Sequence, residues 1–197
     1  MSMILGLTAL SDENVRKVLI DPPLIWKIVA PDDPDIYEDA RREEPRTSLL
    51  GRIINARREP QTLSDDGDPL TTDLDKAWHG IHYLLTGDPS AGPPPLCFLL
   101  DGGASVGDIE VGYGPARVFT SEQTRAIHEA LAGITDEELN ARFDSADMLA
   151  KEIYPEIWDR QKEEDDALGY LMDYVSELRD FLAEATRRRL GMVISIT

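Results

Sequence analysis

Apolar positions along this chain fall into short runs and helical stripes, and the changes of period predict its elements. Residues 3–10 form an apolar run that reads as a buried strand. Ser11 follows as an N-cap, with Asp12 and Glu13 at the positive end of a helix running to Ile20. Asp21-Pro22-Pro23 stops that helix, because proline cannot continue the hydrogen-bond ladder. Residues 30–47 mix prolines with Asp and Glu and read as an irregular surface excursion holding one short helix. Leu49, Leu50, Ile53 and Ile54 recur at helical spacing, up to Arg58. Residues 61–72 carry turn chemistry and read as a loop.

Asp73 is placed to cap a helix whose stripe is Leu74, Trp78, Ile81 and Leu85 and whose end is Gly87. After Pro93-Pro94-Pro95, the run from Leu96 to Leu100 has the length of a central buried strand. Residues 101–115 read as a glycine-rich surface loop, and Arg117 to Phe119 as a short strand. Thr120 with Gln123, and Thr135 with Glu138, are capping-box pairs that start two further helices. Another helix covers Ala146 to Glu152, and Tyr154-Pro155 forces a turn. The longest helix spans Asp165 to Arg189, ending at Gly191, and residues 192–196 form a closing strand. The pattern predicts one α+β domain over residues 1–197. Its mixed sheet takes strands from both chain ends and is packed by several helices.

Charge narrows the function classes. The chain has 197 residues, with 38 Asp and Glu against 20 Lys and Arg, for a net charge of −18. Nucleic-acid binding is not expected, since it depends on Lys and Arg neutralising phosphates. No apolar run reaches the ~20 residues that cross a bilayer. The opening residues lack the positive segment of an export signal, and Asp12 and Glu13 follow directly, so the cytoplasm is the expected compartment. Cys97 is the single cysteine, which excludes an internal disulfide or a multi-cysteine metal site, and its apolar run reads as core. No cofactor is expected.

Three blocks carry a family resemblance. Residues 73–87 (Asp-Leu-Asp-Lys-Ala-Trp-His-Gly-Ile-His-Tyr-Leu-Leu-Thr-Gly), Gly112-Tyr-Gly-Pro-Ala-Arg117 and Glu152-Ile-Tyr-Pro-Glu-Ile-Trp158 resemble blocks of the YfbM-like family, bacterial proteins of unknown function. The opening and closing strands fit as well. The resemblance implies a single α+β domain and brings no activity or catalytic residue with it.

Candidate chemistry comes from the same blocks. On a helix, Asp75, His79 and His82 share one flank at spacings of four and three, where they could hold a divalent metal or exchange protons. The alternative is a partly exposed helix edge, and no metal site is assigned. Gly103-Ala-Ser-Val-Gly107 matches a nucleophile elbow in letters, but the residues after it cannot begin the required helix. Arg117 can bind an anion or, among so many acids, tie down internal carboxylates. Tyr154 and Trp158 flank Pro155 and can wall a pocket or pack on the long helix. With Trp78 and Tyr113, these are the candidate ligand-binding residues. The leading expectation is a non-catalytic binding protein, of inhibitor or immunity type, whose acidic surface meets a basic protein. The rival is a small-molecule enzyme or ligand-binding domain built on Asp75, His79, His82 and the glycine-rich loop near Arg117.

Overall fold

A computed structural model describes residues 2–43, 61–160 and 166–197. The predicted helix at Leu49–Ile54 lies outside these residues, as do part of the 30–47 excursion and the predicted start of the long helix at Asp165.

Five strands make one sheet in the order β2-β1-β5-β4-β3. They are β1 Leu5–Leu10, β2 Thr71–Asp73, β3 Ala104–Glu110, β4 Pro115–Phe119 and β5 Gly191–Ile196. The chain ends therefore pair centrally, with Leu7 opposite Ile194. Every pairing is antiparallel, where a mixed sheet was expected.

Strand alternation divides the core in two. Leu5, Leu7, Ala9, Met192 and Ile194 face one helical layer, while Leu10, Val118 and Val193 face another. Because β5 is covered on both sides, Met192, Val193 and Ile194 are all buried, which is why it reads as an unbroken apolar run. The second layer holds α1 Asp12–Ile20, a 3-10 turn at Pro22–Ile25, α2 Trp26–Val29 and α3 Pro34–Glu43. The first holds α4 Trp78–Thr86, α5 Ser121–Ala132, α6 Asp136–Arg142, α7 Ser145–Ala150 and α8 Ala167–Arg188.

Helix starts follow their caps closely. Ser11 accepts the Asn14 N–H, and the boxes at Thr120 and Thr135 close reciprocally with Gln123 and Glu138. Asp12 links the two layers, since its carboxylate accepts both the N–H and the hydroxyl of Ser121, each at 2.7 Å.

Four expectations are corrected. The 61–72 loop contains the start of edge strand β2, whose pairing with β1 delays the next helix: α4 begins at Trp78, and Asp73 caps an Asp75 turn instead. Residues 94–100 are consecutive turns, not a strand, although Phe98 and Leu99 are buried as the apolar run requires. The 101–115 loop contains edge strand β3, kinked by a register shift between Ser105 and Glu110 and by Gly107 at φ +58°. The long helix ends on Arg189, itself left-handed, and Gly191 serves the sheet: a Cβ there would lie 2.2 Å from the Phe119 carbonyl.

Candidate functional site

Three of the eight candidates meet. The Trp78 ring stacks on His79 at 5.1 Å and on Tyr154 at 5.9 Å. Their polar atoms hold the chain near its start: the Trp78 indole donates to the Met3 carbonyl at 3.1 Å, and the Met3 N–H donates to the Tyr154 hydroxyl at 3.1 Å. Both His79 nitrogens are engaged. Nδ1 accepts the Tyr154 N–H at 3.0 Å, so the proton lies on Nε2, which donates to the Pro89 carbonyl at 2.7 Å. Burial pushes the His79 pKa down. A neutral ring bridging two loops leaves no lone pair for a metal or a substrate proton.

His82 lies one turn further along α4 and is fully buried. Neither of its ring nitrogens makes a well-formed hydrogen bond, the Ala91 backbone being a polar neighbour that acts on it. Burial pushes its pKa down to about 4, reinforced by the neighbouring His79 and opposed by the Ala91 backbone. It is a neutral core side chain rather than part of an exposed flank.

Asp75 does not share that flank either. It precedes α4 in a left-handed turn, φ +40°, and accepts a 2.9 Å hydrogen bond from the Tyr170 hydroxyl. Burial and the Asp75 carboxylate together raise the Tyr170 pKa well above the ordinary phenol value. The helical periodicity that united Asp75 with His79 fails because the helix starts three residues later. Among the described residues, no group of three His, Cys, Asp or Glu side chains is arranged to hold a metal ion.

Arg117 has internal partners, as one reading held, but they are carbonyls and not carboxylates. Its guanidinium donates to Phe98 and Gly102 at 3.0 Å and to Leu99 at 2.7 Å. These bonds replace the ladder that the 94–100 turns lack, since buried carbonyls need donors. Trp158 is core: its indole donates to Ile153 at 2.6 Å, and its ring lies on α4 where Gly80 leaves room. A Cβ at Gly80 would sit 2.7 Å from both Trp158 and Leu171, which explains a glycine inside a helix. Tyr113 is exposed in the β3–β4 turn, away from the others, where its N–H donates to Ile196 at 2.8 Å. Ser105 belongs to edge strand β3, and its hydroxyl donates to the Gly107 carbonyl at 3.0 Å, so the nucleophile-elbow letters carry no elbow. Cys97 is buried, as expected.

Two features escaped the sequence. One is the inward use of cations: Arg142 donates to the Leu84 carbonyl at the end of α4, and Arg188 to those of Asp66 and Asp68. The other is a cavity of about 200 Å³ between the 94–103 turns and α5. The adjacent Pro94-Pro95 and Gly102-Gly103 pairs are its sole trace in the sequence, as signs of a shaped turn.

Comparison with known proteins agrees with this architecture. A family model described as a domain of unknown function, DUF1877, matches residues 1–195. A solved structure, that of the Escherichia coli protein of unknown function YfbM, aligns with a TM-score of 0.64 at 18% identity. The alignment covers 98% of this chain and 99% of that one. No curated protein sequence matches the chain.

Proposed function

The chain belongs to the DUF1877 family, a domain of unknown function, and from its surface chemistry we propose a non-catalytic protein that binds a basic macromolecular partner. The YfbM-like resemblance read from residues 73–87, 112–117 and 152–158 holds over nearly the whole chain. One observation carries the proposal: among the described residues, an exposed row of carboxylates on α8 is left without ion-pair partners, while three arginines are held on backbone carbonyls. Arg117, Arg142 and Arg188 direct their hydrogen bonds to backbone carbonyls and not to carboxylates. On α8, Asp173, Glu177 and Asp180 are exposed at spacings of four and three, and among the described residues none of them forms an ion pair. Such a field steers a basic protein towards the surface and selects against acidic ones.

The enzyme reading is weaker, because Asp75, His79 and Arg117 already have internal partners and His82 is sealed from solvent. Among the described residues no helix is long and apolar enough to cross a membrane.

A tagged chain should retain basic proteins from lysate. Their retention should fall steeply between about 0.05 and 0.5 M salt, as the Debye length shrinks below ~8 Å. A partner held equally at both salts would count against charge as the basis of binding.

A further inference from the structure

We propose that the cavity between the 94–103 turns and α5 binds a compact aromatic amine, its ring inside and its ammonium at Asp101. This site is independent of the acidic α8 surface. Cys97, Phe98, Phe119, Ala126 and Ile127 line the cavity, so its interior is almost wholly apolar. Its volume, about 200 Å³, exceeds the ~150 Å³ at which an apolar protein cavity accepts a benzene-sized guest. The walls are set rigidly. Gly103, at φ +71°, lies so close to Phe119 that a Cβ would sit 2.9 Å from its ring. Arg117 fastens the turns from behind through three carbonyls.

The mouth gives the cavity a polarity. Asp101 lines it and is exposed, its Oδ1 accepting the Gly102 N–H at 2.7 Å. Arg117 attracts this carboxylate through space but makes no hydrogen bond to it, its donors all running to carbonyls. An apolar interior with a single carboxylate at its rim complements a ring bearing a cationic end. An exposed carboxylate adds a modest increment to affinity, so the ring supplies most of the binding and the ammonium its preference and orientation.

Benzylamine tests this, with benzyl alcohol as the neutral comparison. Cys97 is the single cysteine and lines the cavity, so alkylation by iodoacetamide, read by intact mass, reports occupancy directly. At about 10 mM, benzylamine should raise the Tm by about 3 °C and slow Cys97 alkylation several-fold. Benzyl alcohol should do the same more weakly. Ala126→Phe, which fills the cavity from α5, should abolish both effects. Asp101→Asn, an exposed change that leaves the core intact, should erase the advantage of the amine while benzyl alcohol still protects. No protection by either compound would overturn the site. So would a rise in Tm without slower alkylation, which would mean that the amine binds the acidic surface. Equal binding of amine and alcohol to the wild-type chain would overturn the role of Asp101.

Discussion

Lowering the pH from 7 to 4 should remove about 3 kcal/mol of folding stability through His82 alone. The folded protein holds this imidazole at about 4, against 6.5 for the free side chain. Between those values the unfolded chain takes up the proton first. The contribution is therefore fully present above pH 6.5 and is lost as the pH falls towards 4. At pH 5, before most carboxylates titrate, about 2 kcal/mol should already be gone. The physical cause is desolvation of a fully buried ring, reinforced by His79, which outweighs the Ala91 backbone and the Asp88 carboxylate that favour the charged form. Urea midpoints at pH 7 and pH 5 measure it, with His82→Leu as the comparison. The variant should lose much less between the two pH values, keeping the smaller share due to His79, whose pKa is also lowered. An equal loss in both proteins would mean that His82 is solvated.

Trp158→Ala should cost about 3–5 kcal/mol, the range for removing a large buried aromatic. For a chain of this size, that corresponds to a fall in Tm of about 10 °C. Trp158 is 2% exposed and seated against Gly80 and Leu171, so its removal opens a void that the stiff α4–α8 packing cannot close. Gly80→Ala provides the reciprocal check. Alone it should destabilise, because the new Cβ meets Trp158 and Leu171 at 2.7 Å. Combined with Trp158→Ala, its cost should shrink, since one of the two clashes is gone and alanine favours the helix. Additive costs would show that the two residues do not share this contact. A loss of under about 1 kcal/mol for Trp158→Ala would mark an adaptable pocket wall in place of core.

The sequence discloses what depends on local chemistry. Ser11, Thr120 and Thr135 announce their helices because a cap is a bond between residues two or three apart. Strands β1 and β5 are legible as apolar runs, since both lie inside the sheet. What escapes is set by distant partners. Leu96 to Leu100 has the composition of a strand, yet Arg117 satisfies its carbonyls from outside the segment, so no ladder is needed. Thr71 to Asp73 looks like the end of a loop until β1 pairs with it. That pairing moves the start of α4 and separates Asp75 from His79, removing the apparent site. The meeting of Trp78, His79 and Tyr154 is real, but its hydrogen bonds clamp Met3, which no spacing rule reveals.

The central claim is that recognition belongs to the outward acids and not to the inward polar residues. It is tested most directly by making the same net change of charge at two different places on the surface. Asp173→Lys, Glu177→Lys and Asp180→Lys reverse the exposed row on α8, while Asp108→Lys, Glu110→Lys and Glu137→Lys make the same net change elsewhere on the surface. The measurement is the Kd of each triple variant for the basic protein captured by the wild-type chain, at a fixed salt near 0.15 M. The α8 variant should bind at least about tenfold more weakly, and the comparison variant should stay within about threefold of wild type. Equal weakening, or none in either, would contradict the claim.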